Sequence, residues 1–272
     1  MAGDRAREYW DHVAQKLEGK YYLNELLGEH KRNIHLKLVE RWGQSRQHGK
    51  ILKTDLFEEA LGTDDLLFHL RDGASQAMGV DVSPRIVERA KARAQASQGG
   101  SNCFVVADVR ALPFASGSFD LIISNSTLDH FPVEADLKRG LSEISRALLS
   151  GGILIITMDN PSNPLVRLWR WLTHYLLEKA GLSPFYLGVT YTRRQLCDEL
   201  ERVGLQVTDS TAVQHLPFHW SAPLAWAVST AGSARLEQHL LRLLETFEKL
   251  GHWKTRYLTG HYVAVKAVKP LP

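Results

Sequence analysis

Two aspartates, Asp81 and Asp108, each close a short apolar run, in Gly79–Val80–Asp81–Val82–Ser83–Pro84 and in Ala107–Asp108–Val109. If those runs are strands of an open parallel sheet, both carboxylates lie in the crevice where such sheets bind ligands. There Asp81, with Val82 beside it, can accept both hydroxyls of a ribose. Asp108 and the N–H next to it can read the edge of an adenine, with Leu112, Pro113 and Phe114 sandwiching the ring. Ser124–Asn125–Ser126 ends a further apolar run and offers short polar groups to the polar tail of a ligand.

Strands and helices must alternate to position these groups. The periodicity predicts strands over 51–54, 77–82, 103–107, 119–124 and 153–158, with helices over 56–70, 84–96 and 133–149. Ser83 and Pro84 are an N-cap followed by a proline at the first helical position. Gly151–Gly152 is read as a left-handed stop for the third of these helices. Thr192 is expected to cap a helix carrying Leu196, Leu200 and Val203, before strands at 205–213 and 260–269. The expected fold is α/β, a doubly wound and mostly parallel seven-stranded sheet with helices on both faces and an antiparallel C-terminal strand. Residues 1–49 read as an N-terminal helical segment, and residues 50–272 as the main domain, with helical insertions at about 161–190 and 214–256.

The stretch from Ala107 to Phe131, Ala-Asp-Val-Arg-Ala-Leu-Pro-Phe-Ala-Ser-Gly-Ser-Phe-Asp-Leu-Ile-Ile-Ser-Asn-Ser-Thr-Leu-Asp-His-Phe, closely resembles the third and fourth strand ends of the seven-stranded, Rossmann-like S-adenosylmethionine-dependent methyltransferases. Gly151–Ile155 resembles the fifth strand of that family, and Tyr191–Val207 the helix and sixth strand near its C-terminus. The resemblance is to the small-molecule branch and covers roughly residues 45–213 and 258–269. It implies S-adenosylmethionine as cofactor and S-adenosylhomocysteine as product. By position, Asp81 would hold the ribose, Asp108 and Val109 the adenine, and Asn125 the methionine end.

One departure stands out. Where the family carries an acidic residue and a Gly-x-Gly-x-Gly turn, this chain reads Ile51-Leu-Lys-Thr-Asp-Leu-Phe-Glu-Glu-Ala60. Glycines there let the backbone approach a ligand closely. Without them, Asp55 is a candidate to pair with the ammonium of the cofactor, and Thr54 to donate a hydroxyl hydrogen bond; equally, Asp55 caps a helix beginning at Leu56. His130 is placed to act as general base if the acceptor is a hydroxyl, or else to bond a loop carbonyl, with Asp129 orienting it or merely solvated. The stripe Leu165, Leu168, Trp169, Leu172 and Leu176 is expected to pack on the core, to form a lid, or to lie on a membrane surface. His174, Tyr175 and Tyr186 are candidate substrate contacts, and His215 and His219 further lining residues.

The rest of the composition is permissive. With 272 residues and 44% hydrophobic content, the chain can bury a substantial core without metals or disulfides. A net charge of +3, without a clustered basic face, gives no reason to expect nucleic acid as partner. Cys103 and Cys197 lack metal-ligand spacing, the histidines do likewise, and no metal is expected. The charged N-terminus shows no signal sequence, and a cytoplasmic enzyme is anticipated. Two other functions fit the same elements. A degenerate cofactor-binding or regulatory module is favoured by the missing glycines and opposed by the two aspartates. A nicotinamide dehydrogenase is disfavoured because a pyrophosphate would meet Asp55, Glu58 and Glu59. The acceptor and the oligomeric state are not encoded in any motif.

Overall fold

The computed structural model describes residues 2–17, 24–43, 48–70, 74–96, 103–172, 188–216 and 218–271. In chain order the elements are α1 (Ala2–Lys16), α2 (Glu25–Gly43), β1 (His48–Lys53), α3 (Phe57–Leu61), α4 (Leu66–His69), β2 (Ala74–Asp81), α5 (Pro84–Ala96), β3 (Cys103–Val106) and β4 (Phe119–Asn125). A 3₁₀ turn (Leu128–His130) leads to α6 (Glu134–Ala147), β5 (Leu148–Asp159), α7 (Pro164–Leu172), α8 (Arg193–Arg202) and β6 (Gln206–Val213). After α9 (Phe218–Thr230) and α10 (Ala234–Glu248), a second 3₁₀ turn (Lys249–His252) and α11 (Arg256–Thr259) precede β7 (Tyr262–Val268).

The strands form one seven-stranded sheet in the order β3-β2-β1-β4-β5-β7-β6. Neighbours from β3 through β5 pair in parallel, and β7 runs antiparallel between β5 and β6. This is the expected doubly wound sheet. The chain reverses its direction of travel across the sheet between β1 and β4, which puts the ligand crevice above those two strands.

Both faces are covered, as a parallel sheet requires. Alternate side chains of each central strand go to opposite faces. Leu52, Ile122, Leu154 and Ile156 pack with Leu137, Leu141 and Ile144 of α6 and with Leu196 and Leu200 of α8. Ile51, Leu121, Ile123, Ile153 and Ile155 pack instead against Ile34, Leu38 and Trp42 of α2. A third cluster joins Leu56, Ala60 and Leu61 to Ile86, Val87 and Ala90 of α5 and to Ala14 of α1.

Local chemistry corrects two sequence expectations. The helix expected over 56–70 is two short helices, because Gly62 is extended (φ −101°, ψ −166°) and Glu59 accepts the Leu67 N–H at 3.0 Å. The helix expected over 133–149 ends at Ala147, and the chain enters β5 directly. Gly151, with φ of +79°, therefore kinks a strand rather than capping a helix; its N–H donates to the Lys269 carbonyl at 2.8 Å. Of the three roles open to the apolar stripe, packing on the core is not the one its described part takes, and Leu176 lies outside the described residues. Val166 is the buried side chain of that helix, and Leu165, Leu168 and Trp169 are exposed. Thr192 does cap α8, in a reciprocal capping box with Gln195.

Candidate active site

The loop after β1 replaces glycine flexibility with packing. The Leu56 side chain is fully buried and fills the space over Gly79 of β2, where a Cβ would lie 2.3 Å from Leu56 Cδ2. Its N–H donates to Asp81 Oδ2 at 3.1 Å, and the Ser83 N–H donates to Asp81 Oδ1 at 2.9 Å. Burial, reinforced by the charge of Asp55, pushes the Asp81 carboxyl up to about 7. Below the loop, the buried Lys53 Nζ bonds Glu59 Oε2 at 2.8 Å and the Asp55 carbonyl at 2.7 Å. Burial opposes its charge, but Glu59 and Asp55 outweigh it and raise the Lys53 pKa above the ordinary value.

Asp55 Oδ1 accepts the Phe57 N–H at 2.7 Å, so the residue does cap the start of α3, with its second carboxylate oxygen left for another contact. The Thr54 hydroxyl donates to Ser124 Oγ at 3.0 Å and lies 3.0 Å from Thr127 Oγ1, tying the first loop to the end of β4 and leaving its oxygen, rather than its hydrogen, for a ligand. Asn125, at that strand end, buries both its amide oxygen and its amide nitrogen without a hydrogen-bond partner among the described residues. Buried polar groups are rarely left so, which makes the amide a candidate to meet a ligand. Next to it, Ser126 holds a left-handed φ of +49°, and its hydroxyl donates to Asp129 at 2.9 Å. Backbone strain of this kind collects at functional sites.

Asp108 sits where expected at the end of β3, but its carboxylate is gripped by Arg110, whose Nη2 lies 2.6 Å from Oδ2 and whose Nε reaches both oxygens at 3.0 Å. Burial opposes the charge, and these bonds nevertheless pull the Asp108 carboxyl below its ordinary value. Arg110 also pairs with Asp136 at 2.7 Å and lies over the Phe131 ring. Val109 is buried beneath this loop in the core, and Val82 follows Asp81 at the rim of β2.

His130 ends the 3₁₀ turn after β4, and its ring meets that of Trp10 edge-on at 5.1 Å. Trp10 also touches Phe57, at 5.9 Å between centroids, so α1 lies across both the first loop and the fourth strand end. The Ser83 hydroxyl, hydrogen-bonded to Asp11, fastens the same helix to the end of β2.

A polar network missed in the sequence stands beside His130. The buried Asp129 accepts the Asp159 N–H at 2.8 Å. Asp159, closing β5, pairs with Arg170 of α7 at 2.9 Å and with His261 at 3.5 Å. Burial works against the Asp159 charge, yet His261 and Arg170 hold its carboxyl down at about 2. The strand-end rule that picked out Asp81 and Asp108 applies equally to Asp159; Arg170 gave no signal, being one arginine on an apolar helix.

His215 is buried and bonded to Thr259 and to the Ala212 carbonyl, a structural role. His174, Tyr175 and Tyr186 lie outside the described residues, as does His219 with respect to its side chain. Among the described residues no group of His, Cys, Asp and Glu is arranged to hold a metal ion, and no helix is long and apolar enough to cross a membrane.

Residues 58–156 match the family described as Methyltransferase domain. The demethylmenaquinone methyltransferase of Thermus thermophilus is 33% identical over 111 residues, which are 40% of this chain and 48% of that protein. The ubiquinone/menaquinone biosynthesis C-methyltransferase UbiE of Geotalea uraniireducens is 26% identical over 181 residues, 65% of this chain and 72% of that one. The chain thus spans about half the length of the first curated relatives it matches. Among solved structures, one chain of a complex between the Haloferax volcanii Trm112 methyltransferase activator and a methyltransferase aligns over 98% of this chain and 98% of its own, with a TM-score of 0.63 at 19% identity. Geranyl diphosphate C-methyltransferase from Streptomyces coelicolor, solved with S-adenosyl-L-homocysteine, aligns over 88% of this chain and 79% of its own, with a TM-score of 0.55 at 16% identity. Residues 58–156 thus resemble a methyltransferase domain, and the seven-stranded sheet built around them has the Rossmann-like fold of the aligned structures.

Proposed function

We propose that this protein transfers a methyl group from S-adenosylmethionine to a small-molecule acceptor carrying an aromatic ring. The observation that carries the reading is the pairing of Asp81 and Asn125 on the two strands that flank β1. One is a carboxylate with lone pairs to spare; the other is a buried amide lacking partners among the described residues. Together they fit the ribose hydroxyls and the polar tail of an adenosyl amino acid.

When bound, S-adenosylmethionine supplies an electrophilic sulfonium methyl for in-line displacement. The residues of this chain do the rest. Asp81 accepts from the ribose, Val82 lines the nucleoside, and Val109, whose side chain belongs to the core, offers its backbone N–H to the adenine edge. Asp108 faces the adenine edge through a loop that Arg110 makes rigid. Asp55 and Thr54 hold the amino-acid end together with Asn125. His130 takes the proton from an acidic acceptor, a step needed only if the acceptor must be deprotonated to react. Asp129 fixes the turn that carries it. Aromatic carbon is favoured as the acceptor because relatives of this chain are named for methylation of quinones. His174, Tyr175 and Tyr186 are the proposed acceptor contacts.

Calorimetric titration with S-adenosylhomocysteine tests the reading. Saturable binding to the wild type and its loss in Asp81→Ala are expected; no heat with wild-type protein would overturn the assignment.

A further inference from the structure

Helix α7 turns its polar and apolar sides the opposite way from a core helix. Val166 and Arg170, four residues apart, point inward, Arg170 donating to Asp159 at 2.9 Å and to the Gly188 carbonyl at 2.5 Å. Leu165, Leu168 and Trp171 are exposed, at 49%, 58% and 60%. A second apolar segment adjoins the first. The Asn160 amide donates to the Tyr257 carbonyl at 2.8 Å, and the Asn163 amide to the Thr259 carbonyl at 3.0 Å, stitching the start of α7 to α11. From that side Trp253 and Leu258 project at 62% and 56% exposure. Five large apolar side chains on two stitched segments exceed the scattered leucines of an ordinary surface.

The charges of these segments are one-sided. Residues 161–172 and 249–259 contain not a single carboxylate, and while Arg170 is paired inward with Asp159, Arg167, Lys249, Lys254 and Arg256 have no carboxylate partner among the described residues. Tryptophans and leucines set among uncompensated cations match an anionic lipid surface, where indole rings settle at the headgroup level and lysine and arginine meet phosphate. A soluble protein partner would need carboxylates opposite those cations and a fixed shape; a bilayer needs neither. The same segments adjoin the end of β5, beside Asp129 and Asp159.

We propose that the rim formed by α7 and residues 249–259 docks on the surface of an anionic bilayer, with the site facing the membrane from which an apolar acceptor is drawn. The docking surface stands independently of the methyl-transfer reading; only the source of the acceptor rests on it.

Co-sedimentation with vesicles of phosphatidylcholine plus phosphatidylglycerol, and with phosphatidylcholine alone, tests it without any cofactor. Binding to the anionic vesicles, weakened by salt and reduced roughly tenfold in Trp253→Asp/Leu258→Asp, is expected. Arg167→Glu/Lys254→Glu, which changes only surface charge, is expected to lose binding as well, while S-adenosylhomocysteine titrates both variants as it does the wild type. Absence of binding to anionic vesicles, or equal binding by the variants, overturns the proposal. So does a wild-type dimer in light scattering that the first pair of substitutions converts to monomer, since a second copy would then be the occupant.

Discussion

The backbone N–H of Leu56 donates to the carboxylate of Asp81, joining the glycine-free first loop to the end of the second strand at 3.1 Å. The loop that departs from the family pattern is thus held by the residue that most resembles it. Because the Asp81 carboxyl is raised to about 7, a ligand hydroxyl meets a mixture of protonated and ionised acceptor near neutrality. Ribose hydroxyls favour the ionised form. Affinity for S-adenosylhomocysteine is therefore expected to rise with pH up to about 7 and then level off, with protons released on binding. Calorimetry across pH in buffers of different ionisation enthalpy reads both effects, and a flat profile would refute the role of Asp81. The sign for stability is opposite. A folded-state pKa above the ordinary value of about 4 means that this group favours folding in acid, a contribution lost as the pH climbs from about 4 to about 7.

Asn125 separates binding from stability. Its amide is buried and without a partner among the described residues, so Asn125→Leu removes an unsatisfied group and is expected to leave the melting temperature of the ligand-free protein unchanged or higher. The same substitution is expected to weaken S-adenosylhomocysteine binding roughly tenfold or more, the loss of one good hydrogen bond. Unaltered affinity would show that the amide serves no ligand.

Restoring a family-like loop should be costly. Leu56 is fully buried against Gly79 and Leu67, and Leu56→Ala is expected to destabilise by about 2–5 kcal/mol, as large-to-small core changes do. Gly79→Ala drives a methyl group into Leu56 and is expected to destabilise too. Denaturant melts of both variants check this; stability at the wild-type level would mean that the loop has room to rearrange.

Arg170 and Asp159 give an acid-sensitive pair. With the Asp159 carboxyl held at about 2, its contribution to stability is present above pH of about 4 and is lost as the pH falls from there toward about 2. Arg170→Met leaves His261 as the remaining cation, so the expected cost at neutral pH lies toward the low end of the roughly 3–5 kcal/mol typical of a broken buried pair. Its acid unfolding midpoint should move to higher pH, which circular dichroism follows directly.

Trp10 provides a reporter. Its ring sits between Phe57 and His130, over the crevice. Trp10→Ala is expected to speed both association and release of S-adenosylhomocysteine in stopped-flow measurements, with the larger change in release. Unchanged rates would place α1 outside the entry path.

Much of the scaffold was legible because its signals are local. Alternating apolar runs gave the strands, Ser83–Pro84 and Thr192 marked two helix starts, and strand-end carboxylates marked the crevice. What escaped depended on contacts distant in sequence. Nothing near Leu56 signals that its N–H will reach Asp81, and Trp10 is one tryptophan on a charged helix. Arg110 was closer to hand: two residues from Asp108, it lies within reach of that carboxylate, and the direction of its side chain was the missing information. The apolar stripe of α7 was visible, but periodicity cannot say which way a stripe faces. The inward salt bridge of Arg170 decided that.

The position of β7 bears on how the protein is made. That strand lies between β5 and β6, with Val263, Ala264, Val265 and Ala267 fully buried and both edges hydrogen-bonded. During synthesis β5 and β6 leave the ribosome well before it, each with an open edge and an apolar face, so the sheet cannot close until the stretch after Gly260 emerges. A nascent chain paused within α10 would carry every group assigned to the cofactor and still present two sticky strands to its neighbours.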